Sequence, residues 1–215
     1  MISDDIRIDS LGIGEAARRA AEVLGEGGLL VHPTGTVYGL GGAPDAAVEA
    51  DINRLKGREP QRPFIRLAAS TEDVRRLLPS ADWPEAATRL AAVFWPGPLT
   101  LVLDDGSETG VAVRVAEHGV LRRVLATLDA LLLSTSLNPS GGRPTGPEER
   151  ARRTAEVLPD VGRRIAFVAA GDLPGPPPST LVSVRERDGG GKILRAGAVS
   201  ADRVLECLGE GSSCR

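Results

Sequence analysis

Residues 131–141 read LLLSTSLNPSG, an apolar run that passes directly into hydroxyls, an amide, a proline and a glycine. Residues 29–41 repeat this arrangement as LLVHPTGTVYGLG. Short apolar runs bounded by turn residues are typical of buried strands, and a rigid strand can aim a polar loop at a ligand. Both stretches therefore predict a buried sheet with a binding site where its strands end.

Apolar residues at helical spacing predict helices between these strands. Val48, Ile52 and Leu55, for example, form the apolar stripe of a helix that ends near Lys56. The same reasoning predicts helices over residues 16–24, 71–78, 84–95, 121–128, 147–158 and 201–208, and strands over 29–31, 64–68, 99–103, 111–115, 131–133, 165–169, 181–184 and 192–194. The alternation continues without repeats or a long linker, which predicts one α/β domain over residues 1–215. A glycine hairpin at 188–191 indicates a mixed sheet.

Composition narrows the functional classes. Lys and Arg number 26 and Asp and Glu 29, and this net charge of −3 argues against a general nucleic-acid coat protein, although a local basic cleft stays open. No apolar stretch approaches the ~18 residues of a membrane span, and the acidic N-terminus is unlike a secretory signal. We therefore expect no membrane association and a cytoplasmic location. Two histidines and two cysteines without metal-like spacing argue against a Cys/His metal cage.

The standard phosphate-binding loops are missing from the sequence. Residues 39–44, GLGGAP, lack the third glycine of a dinucleotide-binding loop. Residues 189–192, GGGK, resemble the end of a P-loop, but no hydroxyl residue follows the lysine and a strand is predicted there instead of a helix. A nucleotide would have to be held without either loop.

Three cations are predicted to project from one connection. Lys56, Arg58 and Arg62 follow the helix that ends near residue 56, and such a cluster suits phosphate oxygens. Two other interpretations remain open. A lysine in a last helical turn complements the helix dipole, and the arginines could belong to a solvated basic loop.

Ser134, Ser136 and Asn138 alternate after an apolar run, so an extended chain would place them on one face. Short polar side chains are poor choices for packing an interior strand. They are good choices for binding a ligand's polar atoms or for capping exposed backbone. The alternative is a turn built by residues 138–141, NPSG, without a ligand.

An ordered set of motifs resembles the YrdC-type threonylcarbamoyl-AMP synthases. The motifs are PTGTVYGLG at 33–41, KGR at 56–58, WPGPLT at 95–100, VAVR at 111–114, STSLNPSG at 134–141, ST at 179–180 and RAG at 195–197. The likeness extends over about residues 27–197. Each motif alone is weakly specific, but their combination in this order is strongly so.

This resemblance implies a fold and an activity. The fold would be a single α/β domain with a twisted mixed parallel/antiparallel sheet, flanking helices and a basic cavity, without the additional C-terminal domain of longer relatives. The activity would be nucleotidyl transfer that makes L-threonylcarbamoyl-AMP and pyrophosphate from L-threonine, bicarbonate and ATP, with Mg²⁺ carried by the ATP. The product would feed tRNA threonylcarbamoyladenosine modification, with tRNA or tRNA-modification proteins as further partners.

The resemblance also assigns roles to residues. It implies a threonine site formed by Thr36, Arg114, Ser134 and Ser179. It implies an ATP site formed by Lys56, Arg58, Arg62, Gly110, Ser136, Asn138, Thr145 and Arg195, with Lys56, Arg58, Ser136 and Asn138 as the catalytic group. Adenylation mainly needs phosphate charge neutralised and an attacking carboxylate held in line. Cations and hydroxyls without a nucleophile–histidine pair suit that chemistry.

Some positions depart from the family pattern. Gly35 stands where an acidic residue is usual, Glu59 separates Arg58 from the following proline, and Arg66-Leu67 replaces an aliphatic residue followed, in many relatives, by histidine. Two alternative functions therefore stay open: a non-catalytic RNA-binding or ribosome-associated protein, and a paralogue that adenylates a different carbamate.

Overall fold

Ten strands and seven α-helices make up the computed structural model, which describes residues 2–59 and 63–209. The strands are β1 (Asp4–Arg7), β2 (Leu29–Pro33), β3 (Tyr38–Gly42), β4 (Ile65–Ala68), β5 (Leu99–Leu103), β6 (Val111–Val115), β7 (Leu132–Ser136), β8 (Ile165–Ala169), β9 (Thr180–Ser183) and β10 (Lys192–Arg195). The helices are α1 (Ile8–Gly25), α2 (Ala46–Lys56), α3 (Thr71–Leu77), α4 (Glu85–Phe94), α5 (Gly119–Leu128), α6 (Glu148–Glu156) and α7 (Ala201–Leu208). None of these helices is both long and apolar enough to cross a membrane.

All ten strands join one sheet in the order β1-β8-β2-β3-β7-β4-β6-β5-β9-β10. The pairs β1–β8, β8–β2, β4–β6 and β5–β9 are parallel, and the other neighbours are antiparallel. The mixed sheet predicted from the sequence is confirmed. The predicted hairpin is confirmed as well, since β9 and β10 are antiparallel and Gly189 and Gly190 between them have positive φ.

Two strands were missing from the sequence prediction. The hydroxyl- and glycine-rich stretch after β2 has the composition of a turn, but most of it is strand β3. This strand pairs with β2 from Pro33↔Tyr38 to Leu29↔Gly42. Glycine has low strand propensity, so pattern alone could not find this strand. Close packing explains why a glycine occurs in this strand, since a Cβ on Gly42 would lie 2.6 Å from Val48 Cγ1. The other missed strand, β1, is four residues long and largely charged.

Side-chain alternation gives the sheet two distinct faces. In β2, Leu30 packs with α1 and α5, whereas Leu29 and Val31 pack in the cluster that contains α2 and α6. In β5, the leucines at 99, 101 and 103 face α4 and α7. Val102 therefore points to the opposite face, where an open cavity takes the place of a helix.

Candidate active site

The cavity on this face has a volume of about 440 Å³, within the range of small-molecule binding sites. Eight of the residues that sequence analysis assigned to the site line it: Thr36, Arg58, Gly110, Arg114, Ser134, Ser136, Ser179 and Arg195. Lys56, Asn138 and Thr145 lie outside the lining, and Arg62 lies outside the described residues. The described part of the lining contains three arginines and no carboxylate, so the cavity is basic, as predicted.

Strand β7 supplies two adjacent hydroxyls on the cavity face. Ser134 pairs with Gly41 on β3 and with Ile65 on β4, and Ser136 pairs with Gly39. The expectation that Ser134 and Ser136 share a face is confirmed. Asn138 does not continue that row, because the strand ends at Ser136 and the chain turns.

The turn after β7 is held by Lys56 and Asn138. The Lys56 ammonium group donates hydrogen bonds to the carbonyl oxygens of Ser136 and Asn138, the second at 2.6 Å. The Ser140 amide donates to the Lys56 carbonyl at 3.0 Å. The Asn138 side-chain amide donates to the carbonyls of Pro139 and Gly142 at 2.9 and 2.6 Å. In this structure, Lys56 and Asn138 shape the wall of the cavity and do not line it.

The turn that ends α2 sets the different directions of the Lys56 and Arg58 side chains. Gly57 adopts a left-handed conformation with φ +57°, and the Arg58 amide closes the helix by donating to Asn53 O at 2.9 Å. This turn directs Lys56 beneath β7 and Arg58 toward the cavity. Burial, and secondarily the charge of Arg58, lowers the pKa of Lys56 to about 8. Lys56 is therefore still mainly protonated at neutral pH.

Arg58 is held at the cavity rim by its own connection. One guanidinium nitrogen donates to the Pro63 carbonyl at 2.8 Å, and the guanidinium carbon lies 4.3 Å from the centre of the Phe64 ring. Cation–π stacking orients a guanidinium without consuming all its donors. Arg58 is therefore half-buried at the cavity lining, which favours a binding role over that of a solvated side chain.

Arg114 is the most buried cation in the lining, with 3% of its surface exposed. Its Nε donates to Gly97 O at 2.7 Å and its Nη2 donates to Thr34 O at 2.9 Å. Glu117 Oε2 lies 3.8 Å from Nη2. Burial lowers the pKa of Arg114 to about 10, so it remains charged at neutral pH. Arg114 thus ties the loop after β2 to the segment before β5 and gives the cavity floor a fixed positive charge.

Hydroxyls and a third arginine form the wall near β9. Ser179 Oγ lies 2.8 Å from Thr100 Oγ1, and Arg195 donates from Nη2 to the Ser179 carbonyl at 2.8 Å. Burial lowers the pKa of Arg195. Gly110 has φ +69°, and a Cβ there would lie 2.5 Å from the Leu103 carbonyl oxygen. Only glycine therefore fits at this point of the wall.

Two of the predicted threonines are anchored by backbone. The Thr36 carbonyl accepts from the Gly175 amide at 2.8 Å, and its hydroxyl lies 3.3 Å from that of Thr34. Thr145 is buried, and its carbonyl accepts from the Tyr38 amide at 2.9 Å. Thr36 is thereby placed in the lining, while Thr145 supports β3 from outside it.

Comparison with known proteins assigns the family. The Sua5/YciO/YrdC family model, described as "Telomere recombination", matches residues 22–197. The chain belongs to this family. A protein of Halorhodospira halophila named threonylcarbamoyl-AMP synthase is 36% identical over 170 residues, covering 74% of this chain and 84% of that protein.

Solved structures of Sua5/YciO/YrdC proteins share the fold. Pyrococcus abyssi Sua5 complexed with L-threonine has a TM-score of 0.80 and 28% identity, and the match covers 96% of this chain. The chain spans 61% of the length of that protein. Escherichia coli YciO, at 21% identity and a TM-score of 0.75, matches over 93% of this chain and 98% of its own.

Gly35, in the loop after β2, lies close to Glu117. Its φ is +93°, and a Cβ at this position would lie 2.5 Å from Glu117 Oε2. The Glu117 side chain therefore occupies the space that a side chain at position 35 would need. No local sequence pattern indicates this contact, because the two residues belong to different loops.

The structure also corrects one expectation about the site. The sequence predicts no nucleophile–histidine pair, yet His32 Nε2 lies 3.3 Å from Ser134 Oγ. Burial lowers the pKa of His32 to about 4, so the ring is neutral at pH 7 and is a weak base. The contact depends on the register of β2 and β3, which sets His32 opposite Gly39. A sequence prediction that lacks β3 cannot include this register.

Proposed function

We propose that this member of the Sua5/YciO/YrdC family is an L-threonylcarbamoyladenylate synthase. It would form threonylcarbamoyl-AMP, pyrophosphate and water from L-threonine, bicarbonate and ATP, which makes it a nucleotidyltransferase. The observation that carries this proposal is a cavity lined by three arginines and several hydroxyls, with no carboxylate in its described lining. Relatives named threonylcarbamoyl-AMP synthase, and a Sua5 structure complexed with L-threonine, support the choice of substrates.

The chemistry asks the protein for charge and orientation. The threonine amino group forms a new C–N bond to the carbon supplied by bicarbonate, and water is lost. The resulting carbamate oxygen then attacks the α-phosphorus of ATP, and the bond to the β-phosphate oxygen breaks to release pyrophosphate. Fixed cations that face the reacting phosphates lower such a barrier without reorganising. No covalent bond to the protein is required.

The residues that line the cavity, and those that support its wall, divide into two proposed groups, one for each substrate. We assign Thr36, Arg114, Ser134 and Ser179 to L-threonine, because a buried guanidinium pairs with a carboxylate and hydroxyls match its side chain. We assign Arg58, Arg195, Ser136 and the Gly110 backbone to ATP. Lys56, Asn138 and Thr145 would act through the walls they support. Arg62 is retained in this ATP group on the resemblance alone.

Mg²⁺ would accompany ATP. No group of three His, Cys, Asp or Glu side chains within residues 2–59 and 63–209 is arranged to hold a metal ion. The hydroxyl-rich, carboxylate-free lining suits an ion held by phosphate oxygens. When bound, Mg²⁺ would neutralise part of the phosphate charge. We further infer that the product is passed on for tRNA threonylcarbamoyladenosine modification in the cytoplasm, with tRNA or a modification protein as partner.

Pyrophosphate release by the purified protein tests this proposal directly. With Mg²⁺-ATP, L-threonine and bicarbonate all present, we expect steady release of pyrophosphate. Omission of either L-threonine or bicarbonate should reduce release to background, because the nucleophile that attacks ATP is then not formed. Release that is indifferent to both omissions would contradict the proposal, and RNA binding without any release would favour the non-catalytic alternative.

Substrate selection is expected to depend on Ser179. L-Valine has a methyl group where L-threonine has its hydroxyl, and a site that hydrogen-bonds a hydroxyl can reject such an analogue by ~10⁴-fold. Wild-type protein should therefore strongly prefer L-threonine to L-valine in pyrophosphate release, and prefer it less strongly to L-serine. Ser179→Ala should erode the valine discrimination by roughly tenfold or more, because one hydroxyl of the Ser179–Thr100 pair is lost.

Ser183→Ala is a matched control for this change. Ser183 is a buried serine on β9, the strand that begins directly after Ser179, but its hydroxyl donates to Asp188 and it does not line the cavity. Its substitution should leave the threonine-to-valine ratio unchanged. Equal rates with threonine and valine in the wild-type protein would instead favour the paralogue that adenylates a different carbamate.

A further inference from the structure

The buried imidazole of His32 lies under the cavity wall, and none of the roles assigned above involves it. His32 is on β2 and has no exposed surface. A Cβ on Gly39 would lie 2.7 Å from His32 Cε1, and one on Gly41 would lie 3.0 Å from Nε2. The ring therefore crosses β3 in the space that these two glycines leave free, and it reaches β7 from two strands away.

The ring meets the cavity through one side chain. His32 Nε2 lies 3.3 Å from Ser134 Oγ, and Ser134 lines the cavity. Both residues are buried, at 0% and 5% exposure. A serine hydroxyl rotates freely unless a partner fixes it, and a partner held in a closed space fixes it most firmly. Beyond Ser134, the charged or titratable groups that act on the ring are Arg114 and His118, and both oppose its protonation.

The ring must be neutral if it is to be able either to donate a hydrogen bond to the Ser134 hydroxyl or to accept one from it. A neutral imidazole has one donor and one acceptor nitrogen, so it can hold the Ser134 hydroxyl whichever tautomer is present. The absence of a charge also keeps it from competing with the nearby guanidinium of Arg114 for an anionic ligand. These properties suit a group that orients a neighbour and stays out of the chemistry.

We propose that His32 is a positioning residue that fixes the Ser134 hydroxyl toward the cavity and so determines how well the site recognises the polar groups of a hydroxy-amino acid. The inference rests on the proposed function in that the ligand is taken to be L-threonine. Because His32 acts through Ser134, its effect should appear in binding and disappear when the serine hydroxyl is removed.

A double-mutant cycle measured by titration calorimetry with L-threonine tests this inference. His32→Leu and Ser134→Ala should each weaken binding by about tenfold, the order expected for one buried hydrogen bond. The double variant should bind no more weakly than Ser134→Ala alone, because the two changes remove one interaction. His32→Gln, which keeps polar atoms, should recover part of the affinity.

His118→Leu is the control for loss of a histidine. It is the other histidine of the chain, lies outside the cavity lining, and acts on His32 only by disfavouring protonation of a ring that is already neutral, so threonine affinity should not change. Thermal unfolding of every variant establishes that it folds; if His32→Leu does not, His32→Phe, which keeps a ring, replaces it in the cycle.

The outcomes separate the inference from the proposed function. Failure of the wild-type protein to bind L-threonine would overturn the proposed function. Binding by the wild type with an unchanged affinity in folded His32→Leu, or with additive losses in the double variant, would overturn the role of His32 alone.

Discussion

Arg114→Met is expected to reduce threonine-dependent pyrophosphate release by at least about a hundredfold and to lower the free energy of unfolding by about 3 kcal/mol. Methionine has similar length but no donors, so the carbonyls of Gly97 and Thr34 lose their partner. Buried acceptors without a donor are costly, and the proposed threonine carboxylate loses the most buried cation of the described cavity lining. Steady-state kinetics and chemical denaturation measure the two effects.

Arg114→Lys separates charge from geometry. Lysine keeps the charge but has one nitrogen, whereas Arg114 reaches two carbonyls from Nε and Nη2. Stability should recover in part, while pyrophosphate release should stay well below that of the wild type. Wild-type release by Arg114→Met would show that this arginine is structural and that the carboxylate binds elsewhere.

Lys56→Met is expected to be the second most damaging change. The turn after β7 would lose the donor shared by the carbonyls of Ser136 and Asn138. We expect pyrophosphate release to fall by roughly a hundredfold, with the loss mainly in kcat, because Ser136 would no longer be held against the phosphates. The free energy of unfolding should fall by about 2 kcal/mol at pH 7, the order for two carbonyls left without their charged donor.

The pH dependence of stability identifies Lys56 independently of activity. The pKa of Lys56 is about 8 in the folded chain and has the ordinary value of 10.5 when the chain unfolds. Between these values the unfolded chain binds more protons, so stability should rise with pH, by up to about 1.4 kcal/mol per pH unit. This increment should be missing in Lys56→Met. Parallel stability curves for the two proteins from pH 8 to 10 would contradict the assigned pKa.

Much of the fold could be predicted because periodicity and burial agree. Helix α2 begins and ends within two residues of its apolar stripe, and β5 and β6 coincide with their apolar runs. Strand β3 could not be predicted in this way. Its glycines are explained by side chains that pack closely against them, as Val48 does against Gly42. A contact between separate elements leaves no periodic pattern in the sequence of either one.

The candidate site likewise has features that could be predicted from the sequence and features that could not. Ser134 and Ser136 followed from the two-residue period of a strand, and their shared face is confirmed. The inward turn of Lys56 onto the carbonyl of Asn138, 82 residues away, could not be deduced from spacing. Neither could the contact of His32 with Ser134, 102 residues away. The sequence motifs brought together eight residues that line one cavity, but only the three-dimensional structure shows which of the predicted residues line it and which support its wall.

That sheet order also has a consequence for how the chain reaches its native state on the ribosome. Strand β8 lies between β1 and β2, and β7 lies between β3 and β4, so late strands fill gaps between early ones. An emerging chain that ends before residue 132 presents five strand edges without their partners, on β1, β2, β3, β4 and β5, and such edges attract other chains. Closing loops of this length is slow. We therefore expect the nascent N-terminal half to aggregate more readily than the complete chain unless chaperones or rapid completion of synthesis protect it.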